Sequence, residues 1–124
     1  MPPNPHSPEF QPANELLTCE VVPERDLVRV RPRGALDVAT ASVLDEQLAD
    51  LRAAGFRRLL IDLSELRFMD STGLRLVLQW DAAARSDGFE LGVMGGRPEV
   101  QRVFELTGTL ECLPFVDSGC SRPV

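Results

Sequence analysis

Arg57 to Leu63 contains the run Leu59-Leu60-Ile61-Asp62-Leu63, in which apolar side chains follow one another instead of alternating. A strand with polar residues on one face cannot read this way. Continuous apolarity is expected of a central strand covered on both faces. The segments on either side have helical periodicity. From about Val38 to Ala54, Leu44, Leu48 and Leu51 recur at i, i+4 and i+7, with Asp37 placed as N-cap and Gly55 just beyond the C-terminus. From about Ser71 to Ser86 the stripe is Leu74, Val77, Leu78 and Ala82, and Asp87-Gly88 ends the helix. Leu76 and Trp80 fall off that stripe, either as an exposed patch or packed on a neighbour; packing is expected for Trp80.

Alternating patterns complete the fold. Leu16 to Val22 places Leu17, Cys19 and Val21 on one face, and Val28 and Val30 alternate with Arg29 and Arg31. The turn Pro23 to Asp26 joins the two as a hairpin. Pro32 and Gly34 punctuate a loop over 33–37, and Ser64 to Asp70 reads as a connection. Phe89, Leu91 and Val93 alternate in a further strand, and Gly95-Gly96 turns the chain. Pro98 opens a third helix carrying Val100, Val103, Phe104 and Leu106; Gly108 stops it, and Leu113 to Val116 is a last short strand. The order is β-β-α-β-α-β-α-β. Right-handed crossovers give parallel pairs and the leading hairpin an antiparallel one. The expectation is a single α/β domain, a small mixed β-sheet with helices packed against it, over residues 15–117. Residues 1–14, with Pro2, Pro3, Pro5, Pro8 and Pro12, read as a disordered tail, and 118–124 as a short C-terminal one.

The 124 residues suffice for one core, and the formal net charge of -6 argues against nucleic acid and anionic membranes as partners. No apolar run approaches a bilayer span, and MPPNPHSPEF has neither the charge nor the hydrophobic region of a secretory signal. A cytoplasmic location is expected. Cys19, Cys112 and Cys120 match no metal spacing. Cys19 reads as a buried small hydrophobe, and Cys112 and Cys120 as reduced thiols rather than a redox pair. All thirteen basic residues are arginine, which we read as a coding bias.

The segment Phe68-Met69-Asp70-Ser71-Thr72-Gly73-Leu74 puts a hydroxyl at the first turn of a helix, straight after a strand. Capping is its simplest role, but Asp70, Ser71 and Thr72 are three candidates where one is enough. Orphan N–H groups and the positive end of the helix dipole suit an anion there. A phosphate on Ser71 is therefore compatible with an intact helix. Catalysis by Ser71 lacks a base: the sole histidine is His6, and no GxSxG, P-loop or GxGxxG stands in the chain. No enzyme activity, cofactor or metal is expected.

The same segment resembles the phosphorylation site of STAS-domain anti-sigma factor antagonists, whose hallmark is Asp-Ser-[Ser/Thr/Ala]-Gly-Leu after a central strand. Three more pieces follow the family's order: Gly34-Ala35-Leu36-Asp37, Leu60-Ile61-Asp62-Leu63-Ser64, and Val100 to Gly108 ending in Thr107-Gly108. The likeness runs from about Leu16 to Val116 and implies a STAS-like domain. It further implies that the unphosphorylated protein binds an anti-sigma factor and frees a sigma factor. The anti-sigma factor is implied to be of the histidine-kinase-like serine kinase type, with a PP2C-type phosphatase resetting the switch. The resemblance makes Ser71 the acceptor, with Asp70, Thr72 and Gly73 shaping the loop, Asp37 nearby, and Met69 and Leu74 flanking as apolar contacts. The rival reading is a STAS docking subunit of a lipid-transport or stress-signalling assembly, using the same loop without phosphorylation.

Overall fold

A computed structural model describes residues 17–109 and 113–116. The proline-rich N-terminal segment, Cys112 and Cys120 lie outside the described residues. Strands β1 (Leu17–Glu24) and β2 (Leu27–Leu36) form the expected antiparallel hairpin, closed by Glu24 opposite Leu27. Then come α1 (Ala41–Ala53), β3 (Arg58–Asp62), β4 (Leu66–Met69), α2 (Ser71–Asp87), β5 (Glu90–Met94), α3 (Pro98–Thr107) and β6 (Phe115–Val116). The sheet order is β1-β2-β3-β5-β6, with β4 also on β2. All its pairs beyond the hairpin are parallel. The fold is the expected mixed α/β domain.

Its element order gains a strand. The connection expected over Ser64 to Asp70 contains β4, which pairs with the end of β2 just as β3 pairs with its beginning. One sheet position is thus filled by two short strands in succession. For the same reason β2 runs on to Leu36 through the segment expected to be a loop. Pro32, which cannot donate to a ladder, falls between the part of β2 paired with β3 and the part paired with β4. Gly34 takes φ +108° where the register shifts: it faces Leu66, whereas Ala35 already faces Phe68. Arg67 is the extra residue of a β-bulge. Two neighbours, Arg67 and Phe68, therefore both point outward, and the alternation that would have revealed the strand is lost.

The core lies between one face of this sheet and the helices. Val28 and Val30 of β2, Leu59 and Ile61 of β3, and Leu91 and Val93 of β5 meet Leu44 and Leu48 of α1, Val77 of α2 and Phe104 of α3 in one cluster. The α2 stripe is broader than expected. Leu76 is buried and Trp80 packs against the cluster, its indole Nε1 donating to Asp45 Oδ1 at 2.8 Å and its ring edge-on to Phe89. Leu78 is only half-buried and Ala82 is exposed. The stripe instead continues through Asp81 to Ala84; the Asp81 carboxylate is buried and paired with Arg85 one turn on. A charged residue on the core side breaks the apolar pattern from which the stripe was read.

The sheet's other face carries a buried ion cluster. Asp62, 1% exposed, accepts from Arg29 Nη1 at 3.2 Å and Arg31 Nε at 3.0 Å through Oδ2, and from the Ser64 amide at 2.9 Å through Oδ1. Burial pushes the Asp62 carboxyl upward, but hydrogen bonds from Ser64, Arg31 and Arg29 outweigh it and hold the group below the usual aspartate value. Thus the run Leu59 to Leu63 is buried throughout, with a salt-bridged aspartate in its second face. Cys19 faces the core from β1, and burial pushes its thiol up to about 11.

Candidate functional site

Two chain segments build one end of the sheet. β2 and β4 run parallel and finish side by side, Leu36 beside Met69, and the Asp70 amide donates to the Leu36 carbonyl at 3.2 Å. Asp37 and Asp70, the next residues on each segment, therefore leave the sheet together. This register brings the sequence motifs around Asp37 and Ser71 into one place.

Each segment then turns differently. After β2, the Asp37 carbonyl accepts from the amides of Thr40 and Ala41, and its Oδ1 accepts from the Ala39 amide at 3.0 Å. The Thr40 hydroxyl, buried, donates to the Ala35 carbonyl at 2.7 Å and accepts from the Asp37 amide at 3.0 Å. The expected helix start at Val38 with Asp37 as N-cap is corrected: α1 starts at Ala41 and Thr40 holds the cap position. Asp37 is instead the anchor of the tight turn before it, because its side chain reaches the amide two residues on.

After β4 there is no such detour. Asp70 is the N-cap of α2, extended at φ -109°, and its Oδ1 accepts from the Thr72 amide at 2.8 Å and the Gly73 amide at 3.3 Å. The overlapping candidates are thereby separated. Asp70 caps, and Ser71 occupies the first helical position with its side chain exposed. Thr72 is half-buried, on a groove of about 200 Å³ between α1 and α2 that Asp45, Arg75 and Leu76 also line. One electrostatic expectation is modified: two of the first-turn N–H groups expected to be open to an anion are taken by the Asp70 carboxylate.

Gly73 is enclosed. A Cβ there would lie 2.6 Å from Met69 Cγ and 2.9 Å from Leu36 Cδ2, so α2 sits on the strand ends at a distance only glycine allows. Met69 and Leu74, expected as apolar contacts flanking the site, are 3% and 6% exposed and support it from beneath. The outward apolar residues are Phe68, 51% exposed, and Val38, 78% exposed. Sequence reasoning did not single out either one. The bulge at Arg67 shifts the outward side chain from Met69 to Phe68, and no residue pattern in a four-residue strand announces that shift. At this end of the sheet stand an exposed hydroxyl, two carboxylates engaged with backbone amides, and two exposed apolar side chains. Such a surface is suited to being bound and modified by another macromolecule.

Known proteins share this plan. The family model described as "Mlab, STAS domain" matches residues 20–114. An anti-sigma-B factor antagonist of Staphylococcus aureus (strain NCTC 8325 / PS 47) is 34% identical over 103 residues, which are 83% of this chain and 94% of the relative. The crystal structure of an anti-sigma factor antagonist from Mycobacterium paratuberculosis superposes with a TM-score of 0.66 at 27% identity, covering 80% of this chain and 84% of that one. The Bacillus cell fate determinant SpoIIAA in its phosphorylated form shares the fold, with a TM-score of 0.59 at 21% identity over 82% of this chain and 90% of that one.

Proposed function

The chain belongs to the STAS-domain family of anti-sigma factor antagonists, and from that premise we propose that it is a phosphorylation-controlled binding module. Unphosphorylated, it binds an anti-sigma factor and so releases a sigma factor. The partner is of the histidine-kinase-like serine kinase type. Its transfer of the ATP γ-phosphoryl group to the Ser71 hydroxyl ends the complex, and a PP2C-type phosphatase restores binding. The chain acts in the cytoplasm as substrate and inhibitor, and contributes no catalytic group of its own.

The observation that carries this reading is the division of labour between Asp70 and Ser71. The helix cap is made by Asp70, so the Ser71 hydroxyl is exposed and has no duty in holding the fold. A phosphoserine brings about 1.5 to 2 negative charges at neutral pH. Here they arrive beside a capping carboxylate and next to the Asp37 turn. The local potential changes sharply while the backbone keeps its cap. Phe68 and Val38, with Asp37, Asp70 and Thr72, form the surface that an unphosphorylated partner covers; Gly73, Met69 and Leu74 hold that surface in shape.

Incubation with the cognate kinase and ATP should add one phosphate, mapped to Ser71 by mass spectrometry and absent from Ser71→Ala. Ser71→Glu should weaken partner binding at least tenfold, about 1.4 kcal/mol. Phosphate that persists on Ser71→Ala at a residue other than Thr72 would refute the assignment. Unlabelled protein combined with unchanged binding by Ser71→Glu would favour the docking-subunit reading, and identifying the proteins captured from the native lysate would tell a kinase from a transporter or scaffold.

A further inference from the structure

On the sheet face turned away from the helices, Arg33 of β2, Arg67 at the bulge of β4 and Arg97 before α3 line one depression of about 200 Å³, together with Thr18, Gly34 and Glu65. Nineteen acids serve thirteen arginines in this chain, so a guanidinium has no shortage of partners. Some of them find one. Arg29 and Arg31 share Asp62, Arg58 bridges Asp26 and Glu90, and Arg85 holds Asp81. Arg25, Arg52, Arg57, Arg75 and Arg102 make none among the described residues, and the three at the depression are set apart by lying together. Among the described residues Arg67 and Arg97 make no ion pair, and Arg33 has only a 3.9 Å approach to Glu20. Glu65 shares the wall but lies outside ion-pair distance of all three. Three guanidinium groups around one depression, with Glu65 on its wall and Glu20 3.9 Å from Arg33, leave an excess of positive charge that a bound anion relieves.

We propose that this depression is a binding site for the phosphoryl group of a small molecule. A guanidinium offers five N–H donors in a planar fork that matches phosphate oxygens two at a time. Three such forks from three separate segments suit a tetrahedral group with several exposed oxygens better than a two-oxygen carboxylate. Arg67 follows the buried Leu66, which pairs with Gly34, so it is exposed on the same face as Arg33. Arg97 is the N-cap residue of α3, whose N-terminus has no side-chain cap, so the positive helix end adds to the field. Glu99 in that first turn and Glu65 on the wall limit the charge, favouring a single phosphoryl group over a long polyanion. The site is independent of the Ser71 reading, since it needs neither a kinase nor a partner protein.

The test follows the arginine Nε–Hε resonances of the full-length chain by NMR during titration with inorganic phosphate at constant ionic strength. Saturable shifts at Arg33, Arg67 and Arg97 are expected, with a midpoint of about 1 mM or tighter. Arg67→Gln and Arg97→Gln should each weaken the midpoint about tenfold, whereas Arg75→Gln, on exposed α2 surface, should leave it unchanged. Arg67→Lys keeps the charge and removes the fork, and should weaken binding about threefold or more. A non-saturating drift, or equal midpoints in the wild type and the Gln variants, would overturn the proposal. Full binding by the Lys variant would overturn it as well, reducing the site to a diffuse positive field.

Discussion

At the scale of single residues, the candidate site depends on assignments that residue type alone leaves open. Asp70, Ser71 and Thr72 all have the chemistry of a helix cap, and Asp70 takes it because its extended backbone turns Oδ1 toward the Thr72 and Gly73 amides. Gly73 is the residue on which that arrangement depends. A methyl group would meet Met69 and Leu36 at under 3.0 Å, and both are locked in the core. Gly73→Ala should therefore destabilise the domain by about 2 kcal/mol through overpacking, although alanine has the better helix propensity. Urea denaturation measures it; a variant as stable as the wild type would mean that α2 moves away from the strands at little cost. The importance of Gly73 was legible in the motif. Close approach was legible as its reason too; what it approaches was not, because Met69 and Leu36 lie on β4 and β2.

At the scale of elements, an ion cluster ties β2 to β3 on the sheet face opposite the core. Asp62 of β3 ties Arg29 and Arg31 of β2, the strand paired with β1 on one edge and with β3 and β4 on the other. Its carboxyl sits below the usual value in the folded state, so it binds protons less readily there than in the unfolded chain. The stabilisation is then complete above the unfolded aspartate value, roughly pH 4, and declines as pH falls through the lowered folded value. Asp62→Asn should cost about 2 kcal/mol at pH 7 and flatten the acid limb of the stability curve. Equal pH slopes for variant and wild type, by thermal unfolding between pH 3 and 7, would contradict this role. The run Leu59 to Leu63 marked β3 as buried on both faces, and it is. That the second face is sealed by arginines from another strand was hidden, because the pairing register decides who meets Asp62.

At the scale of the whole molecule, one hydrophobic cluster draws on α1, α2, α3 and most of the described strands, so the described residues should unfold as a unit. Trp80, the sole tryptophan, sits where α2 meets Asp45 of α1 and Phe89, and so reports tertiary packing directly. Its fluorescence and the far-ultraviolet circular dichroism should give coincident urea transitions; midpoints separated beyond error would reveal a subdomain that melts alone. Most of the plan behind this cluster was readable from local pattern. Helical spacing of leucines, apolar alternation and the Gly and Pro stops act within a few residues, so they determine which segments become helices and strands, and they place Ser71 at a helix start. The bulge at Arg67, the split of one sheet position between β3 and β4, the outward turn of Phe68 and the meeting of Arg33, Arg67 and Arg97 depend on register between distant segments. Register is a property of partners brought together by folding, and only the tertiary structure decides it.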